Sequence, residues 1–334
     1  MKVLVVGGAG YIGSHVVLDL IRAGHTVVVA DNLSTGLRDF VHPDARFHLA
    51  DITKPEDINK VFSAEKELGP IDVVMHFAAK LDVAESVEKP LDYYHNNVEG
   101  VRVLLGAMLQ SEVKKIVFSS TAAVYGESQT NEPICEGAEL APINPYGASK
   151  LAAEQLIQWA SAAHGLNYAI LRYFNAAGAD DSLCIGLEKE RYTHLIPRAV
   201  RAAMGLDAGV KVFGDDWPTP DGTCIRDYIH VSDLSSAHLR AAEYLISNNQ
   251  SLLVNLGTET GSSVKEVITA VDRLRTCPFS IAERRPGDPA LLIADVTLAR
   301  EVLGWRAQRD LIDIVGSDFA YREKLENPPV RRWS

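Results

Sequence analysis

The stretch "NPYGASK" sets a phenol and an amine, Tyr146 and Lys150, four residues apart behind a proline. On a helix that spacing puts both side chains on one face, one turn apart. Pro145 suits the first helical position and Asn144 the cap before it. Tyr146 then falls in the first turn, where the positive end of the helix dipole favours an anion. A phenol made anionic beside a fixed cation is a base that can take a proton and return it. The competing reading is an aromatic ring packed inward and a lysine reaching water.

A second constellation is "GGAGYIG", in which Gly7, Gly10 and Gly13 follow an apolar run and precede a helical one. Small residues there let the backbone approach a pyrophosphate, and the helix start offers N–H groups to it. Asp31 ends the next apolar run, where a carboxylate accepts from both ribose hydroxyls of a dinucleotide and repels a 2′-phosphate. The pattern favours NAD over NADP, and Arg38, the nearest arginine, lies too far along to reverse it. The opposing reading is a tight strand-to-helix turn with no ligand.

The elements that must position these residues are legible in the first half. "KVLVVG" (2–7), "HTVVVADN" (25–32), "RFHLADI" (46–52), "IDVVMHFAA" (71–79), "KKIVFSST" (114–121) and "NYAILRYFN" (167–175) are nearly continuous apolar runs. Such runs suit strands of a parallel sheet covered on both faces. Helix-length segments, 12–22 and 55–67 among them, separate the runs, which predicts an α/β, Rossmann-like doubly wound parallel sheet. Val98, Val101, Leu105 and Met108 form one helical stripe, and Leu151, Leu156 and Trp159 mark the helix after Lys150. After Asn175 the pattern turns irregular, with clusters such as "GDDWPTPDGTC" and "ERRPGDPA". We expect a dinucleotide-binding domain over residues 1–176 with a return segment around 223–247. Residues 177–334 should form mainly a smaller α/β substrate-binding domain. The tail "NPPVRRWS" reads as a frayed end.

The chain's 334 residues suit two modest domains or one large α/β unit, and its net charge of −11 argues against a general nucleic-acid partner. Four widely spaced cysteines form no CxxC pair, and the ten histidines form no HxH or HExxH arrangement. We therefore expect no metal site and no disulfide framework. No apolar run reaches membrane-spanning length, and the N-terminus opens into a strand rather than a signal peptide, so a cytoplasmic protein without a membrane partner is expected.

In this order, the glycine loop, "DNLSTG", "HFAA", "SSTAAVYG", "YGASK" and "LRYFN" resemble the extended short-chain dehydrogenase/reductase superfamily. "THLIP", "VFGDDWPTPDGTCIRDYIHVSDL" and "RRPGDPA" resemble more narrowly its UDP-glucose 4-epimerase family, and the likeness covers nearly the whole chain. The resemblance implies tightly held NAD, transient oxidation of a UDP-sugar at C4, hydride return to either face, and a homodimer. It casts Tyr146 as the base, Lys150 as its charged partner and a ligand of the nicotinamide ribose, and Thr121 as the hydroxyl beside the sugar's O4. A lysine charge about 5 Å from the phenol, at an effective dielectric of about 20, contributes roughly 3 kcal/mol, or about two pKa units.

The resemblance further implies cofactor contacts at Gly7, Gly10, Tyr11, Ile12 and Gly13. Next come Asp31, Asn32, Leu33, Ser34, Thr35 and Gly36, then Asp51 and Ile52. Phe77, Ala78, Ala79, Lys80, Leu81, Asn96 and Phe174 complete that set. Substrate contacts are implied at Asn175, His194 and Leu195, at Lys211, Val212 and Phe213, and at Arg226, Arg285, Asp288 and Leu292. Two guanidinium forks suit a diphosphate. Lys80 stands one residue before the family's lysine position, which is Leu81 here, and His194 replaces an asparagine of some members. Leu292 falls where residue size governs room beside the sugar's C2, and leucine is intermediate, so UDP-N-acetylhexosamines or UDP-pentoses are alternative substrates. A 4,6-dehydratase needs a Thr-Asp-Glu run where this chain has Thr121, Ala122 and Ala123. A simple sugar-nucleotide dehydrogenase or reductase, or a non-enzymatic NAD-sensing protein, are the remaining alternatives.

Overall fold

Five consecutive residues, Lys2–Val6, are buried on both faces and form the first strand, β1. The computed structural model describes residues 1–127, 132–188, 192–285, 288–326 and 332–333. From β1 the chain runs through α1 (Tyr11–Arg22), β2 (Thr26–Asp31), β3 (Arg46–Leu49), α2 (Pro55–Lys66) and β4 (Val73–His76). There follow α3 (Val83–Glu88), α4 (Pro90–Tyr94), α5 (Gly100–Gln110), β5 (Lys115–Thr121), α6 (Pro145–His164) and β6 (Asn167–Tyr173). Shorter elements come next: β7 (Asn175–Ala177), α7 (Leu195–Ala203), β8 (Val210–Phe213), β9 (Ile225–Arg226) and β10 (Tyr228–His230). The remainder is α8 (Val231–Asn248), β11 (Leu252–Leu256), β12 (Ser262–Ser263), α9 (Val264–Asp272), β13 (Phe279–Ala282), β14 (Leu291–Leu292), α10 (Thr297–Leu303) and α11 (Leu311–Glu326). The tail expected to fray falls mostly on residues 327–331 and 334, outside the described residues.

The chain divides into two compact units. The first comprises Met1–Gly126, Glu139–Arg172 and Ser235–Val254; the second comprises Glu127–Ala138, Tyr173–Leu234 and Asn255–Ser334.

The seven-stranded sheet has the order β11-β6-β5-β4-β1-β2-β3. β1 pairs in parallel with β2 on one side and β4 on the other. β2 continues in parallel to β3, and β4 to β5. Successive strands run outward from β1 to β3, then the chain returns to the other side of β1 at β4. That reversal opens a crevice at the carboxyl ends of β1 and β4, where open α/β sheets take their ligands. The doubly wound parallel sheet predicted from the strand–helix alternation is the fold observed. On one face Leu4, Val28, Val74 and Ile116 pack against Ile58 and Phe62 of α2, Leu104 and Met108 of α5, and Ile157 of α6.

Two helical stripes differ from expectation. Val101, Leu105 and Met108 are buried as predicted, but Val98 is only half-buried and Asn97 takes the inward place. The cause is a π-helical turn, His95–Glu99, which shifts the side-chain register ahead of α5. In α6 the buried face is Gly147, Ser149, Lys150, Ala153, Glu154 and Ile157. Leu151 and Leu156 are half-buried, and Trp159 is 74% exposed. Apolar periodicity misreads this helix because three of its inward residues are polar or charged.

In the second unit, α7, α9 and α11 pack on Val210 and Val212 of β8 around one core, with Ile196, Val267, Ile268, Ile314 and Phe319 buried. β8 pairs in parallel with β13, β7 with β10, and β9 with β14. Among the described residues no helix is long and apolar enough to cross a membrane.

At the first unit's sheet edge, Glu65 of α2 is 1% exposed, and Arg46, Lys2 and His48 converge on its carboxylate. Burial alone would raise its pKa, but hydrogen bonds from Arg46, His48 and Lys2 bring it down to about 2 from 4.5. A depressed carboxyl pKa contributes stability that is present above its unfolded value and lost as pH falls through the folded one. We expect about 3 kcal/mol of stability to disappear between pH 4.5 and 2 through this group. Urea unfolding at a series of pH values should show that loss in the wild type and a flatter acid limb in Glu65→Gln.

Candidate functional site

At the end of β1 the backbone turns through Gly7 at φ +83°. Gly10 N–H donates to the Gly7 carbonyl at 3.2 Å, and α1 starts at Tyr11 with no side chain capping it. A Cβ on Gly7 would come within 2.5 Å of the Ala78 nitrogen, and one on Gly13 within 2.2 Å of the Gly7 oxygen. The loop is thus pressed against the chain leaving β4 on one side and against α1 on the other. Tyr11, Ile12 and Gly13 form the helix's first turn, whose N–H groups have no acceptor within the helix. This is a cradle for an anion, built on a backbone turn too tight to admit a side chain at Gly7 or Gly13.

Asp31, 8% exposed at the end of β2, faces the same loop. It accepts from Ala9 N–H at 3.0 Å and from Leu33 N–H at 2.8 Å. Burial pushes its carboxyl pKa up, and these two backbone donors pull it back down. The Leu33 bond closes a turn that holds Leu33 at φ +58°, a left-handed conformation unusual for a branched side chain. Asn32, Ser34 and Thr35 are exposed beside it, and Gly36 lies against Ala9. The Arg38 guanidinium stacks 4.3 Å over the Phe47 ring, which directs it elsewhere than Asp31. Asp51 accepts from both the N–H and hydroxyl of Thr53, and Ile52 is buried beside it.

Across the crevice, Phe77 and Ala78 both donate N–H to the Val6 carbonyl, at 2.7 and 3.1 Å. Ala79 and Lys80 continue half-buried, and Leu81 is 45% exposed. Asn97, at the π turn, accepts from Lys80 N–H at 2.9 Å and donates to the Lys80 carbonyl at 3.0 Å and to Ser149 Oγ at 3.0 Å. Asn96, the residue expected from the sequence, donates its amide to Asn97 at 2.9 Å. Asn97 thereby ties the post-β4 segment to α6, a role sequence reasoning missed. The only local signal was an asparagine pair preceding an apolar stripe.

α6 begins as predicted: Asn144 caps it by accepting Gly147 N–H at 2.9 Å, with Pro145 in the first turn. Tyr146 is half-buried. Desolvation raises its pKa above the usual phenol value, and a hydrogen bond with Thr121 acts the other way. Lys150, from which a lowering is expected, is not among the groups that act on it, and burial sets the direction. Thr121, at the end of β5, also accepts Ala123 N–H at 3.2 Å, so this hydroxyl both caps a turn and touches the phenol.

Lys150 does not reach water; it is 4% exposed. Its ammonium donates to the Ser119 carbonyl at 2.8 Å and sits 4.8 Å over the Phe118 ring. Burial lowers its pKa to about 8, and the Glu154 carboxylate pushes back upward.

The remaining expected residues lie in the second unit. Arg226, in β9, donates to the Pro289 carbonyl at 2.8 Å and lies 3.6 Å from Asp288. Leu292, half-buried in β14, is its register partner. Arg285 stacks 3.6 Å over the Phe213 ring, while Val212 is buried and Lys211 exposed. Cys224 lies among Arg226, Asp288 and Arg285: burial raises its thiol pKa, the arginines lower it and Asp288 raises it. The fold thus gathers two guanidinium groups, a carboxylate and an aromatic ring. Asn175 donates its N–H and its amide to the Asp227 carbonyl at 3.0 and 3.2 Å. His194 precedes α7, Leu195 opens it, and Phe174 is buried.

Residues 3–257 match the NAD dependent epimerase/dehydratase family. The chain belongs to that family. It is 47% identical over 315 residues to UDP-glucose 4-epimerase of Lacticaseibacillus casei, 94% of either chain being covered. Its structure is similar to UDP-glucose 4-epimerase from Brucella ovis in complex with NAD, with a TM-score of 0.92, 44% identity, and 96% of this chain and 98% of that one covered. It is also similar to UDP-glucose 4-epimerase from Bifidobacterium longum in complex with NAD+ and UDP, with a TM-score of 0.90, 36% identity, and 98% and 99% covered. For this family the cradle at Gly7 and Gly13 with Asp31 across from it has the shape and charge a dinucleotide requires.

The cradle has a stability signature. Gly13→Ala should destabilise the protein by about 1–3 kcal/mol through overpacking. Gly106→Ala, where a Cβ would meet nothing within 4 Å, should stabilise α5 by about 0.5–1 kcal/mol. Thermal unfolding of the two variants, shifted in opposite directions, checks the reading.

Proposed function

We propose that this protein is a UDP-glucose 4-epimerase that interconverts UDP-galactose and UDP-glucose and keeps its NAD bound between turnovers. The observation that carries the reading is the Tyr146 phenol, hydrogen-bonded to Thr121 and one helical turn from the buried Lys150 ammonium. Similarity to UDP-glucose 4-epimerases along nearly the whole chain supports it.

Gly7, Gly10, Tyr11, Ile12 and Gly13 would hold the NAD pyrophosphate, and Asp31 the adenosine ribose. The turn from Asn32 to Gly36, Asp51 with Ile52, and the segment from Phe77 to Leu81 complete the hold. Bound NAD supplies a hydride acceptor that can return hydride to either face of C4, together with a cationic ring in its oxidised form. Arg226 and Arg285 take the UDP diphosphate, Asp288 the uridine ribose, and Phe213 the neighbourhood of the base. Thr121 orients the sugar's O4 by hydrogen bonding. Tyr146 takes the 4-hydroxyl proton and later returns it to the same oxygen. Ionising that phenol is opposed by burial and favoured by a hydroxyl donor at Thr121, and a cation one helical turn away and the start of α6 act in the same direction.

Leu292, intermediate in size, admits plain hexoses first. The protein works in the cytoplasm as a homodimer, a second copy covering the exposed Leu91 of α4 and Trp159 of α6, which are 82% and 74% exposed.

Purified protein given UDP-galactose and no added cofactor should form UDP-glucose. Tyr146→Phe should lose at least about 10²-fold of that rate while the denatured protein still releases NAD. Turnover near the wild-type level in this variant would remove Tyr146 as the base. Offering UDP-N-acetylgalactosamine in the same assay should give a slower reaction than UDP-galactose if Leu292 limits room at C2.

A further inference from the structure

One turn beyond Lys150 on α6, Glu154 is 1% exposed, and the Arg172 side chain on β6 is 2% exposed. Arg172 forks onto the Glu154 carboxylate, donating from Nη2 at 2.6 Å and from Nε at 3.1 and 3.2 Å. Its other arm donates to the Tyr125 hydroxyl at 3.1 Å. The Ser120 hydroxyl closes the arrangement by donating to Glu154. Ser120 lies between Ser119, whose carbonyl takes the Lys150 ammonium, and Thr121, which bonds Tyr146.

A fully buried ion pair is a poor device for stability alone. Removing two charges from water costs about as much as their attraction returns, and well-packed apolar replacements are often neutral or better. The position of this pair, one turn beyond Lys150 on α6 and bonded by Ser120 of β5, calls for another reason. The Glu154 carboxylate is also the negative charge that holds Lys150 ionised against the desolvation acting on it.

Resting on the epimerase reading, we propose that Glu154, clamped by Arg172 and Ser120, is a positioning residue for Tyr146 and Lys150. It locks the end of β5 against α6 and keeps the Lys150 amine an ammonium. The groups facing that amine are His76 on β4 and the Phe118 ring on β5; Tyr146 lies one turn earlier on α6, and His238 of α8 meets Ser119, whose carbonyl takes the ammonium, at 3.4 Å. Burial and Lys150 together hold His76 neutral, its pKa lowered to about 3, so it contributes no competing charge. Removing the Glu154 charge lets the Lys150 pKa fall below its present value of about 8, and the alkaline limb of activity moves toward acid. The size expected is at least about one pH unit.

The test compares wild type, Glu154→Asp, Glu154→Gln and the double variant Glu154→Gln/Arg172→Gln as holoenzymes. The double variant removes Glu154 and Arg172 together, so neither partner of the ion pair is left unmatched, and it keeps the test open where the single glutamine variant does not fold. The pH profile of kcat for UDP-galactose should keep its alkaline limb in Glu154→Asp and shift it toward acid in both glutamine variants. In parallel, NMR of protein carrying labelled lysine, with Lys150 assigned by Lys150→Met, titrates the amine without turnover. It should show the same downward shift. A loss of kcat that is uniform with pH, with an unmoved Lys150 titration, would reduce the pair to a structural one and overturn the proposal. Absence of epimerisation by the wild type would overturn the functional reading instead, while the amine titration would still decide the role of Glu154.

Discussion

An ammonium group withdrawn from water is the constraint around which the first unit is arranged. Lys150 has a carbonyl, an aromatic face and a carboxylate nearby, and each comes from a fixed element. The carbonyl and ring belong to β5, the carboxylate to α6, and the guanidinium that fixes the carboxylate to β6. Three elements must therefore be in register before the charge is tolerable at all. The same register brings Thr121 to the phenol, so placing the charge and placing the phenol oxygen are one event.

The sheet order does the corresponding work at the other end of the site. Because the strand order reverses at β1, the segments leaving β1 and β4 lie side by side at the carboxyl ends of the strands, where open α/β sheets take their ligands. The backbone then closes on itself to distances that exclude a Cβ at Gly7 and Gly13. Asp31 is delivered by β2, one strand over, and its own side chain folds the turn that follows it. Asn97 links these two regions: it grips both backbone groups of Lys80 and reaches Ser149, next to Lys150. The π turn at His95–Glu99 is what points it inward.

In the second unit the residues read from the resemblance divide according to how local their signal is. Arg226 is far in sequence from Asp288 and Leu292 yet meets them through the pairing of β9 with β14. Arg285 meets Phe213 across a comparable separation. Neither charge pattern nor periodicity in the intervening chain announces those meetings, since each arginine read alone is a surface cation. Only the family likeness placed them together in advance.

What the sequence determined by itself are features set by a residue's immediate neighbours along the chain. The strand positions, the glycine spacing, the Asn144 cap with Pro145, and the spacing of Tyr146 and Lys150 on one helix are of this kind and hold in the structure, except that the run 46–52 forms an edge strand, β3, which is not buried and leaves Leu49 exposed. Tertiary structure decided which side chains are dry. It buried Lys150, Glu154 and Arg172 and left Trp159 exposed, against the order that hydrophobicity would assign. It also turned the phenol's pKa upward where the neighbouring charge alone pointed down. The reason is that desolvation depends on everything surrounding an atom, from strands distant in the chain, whereas propensity, capping and spacing depend on a few adjacent residues.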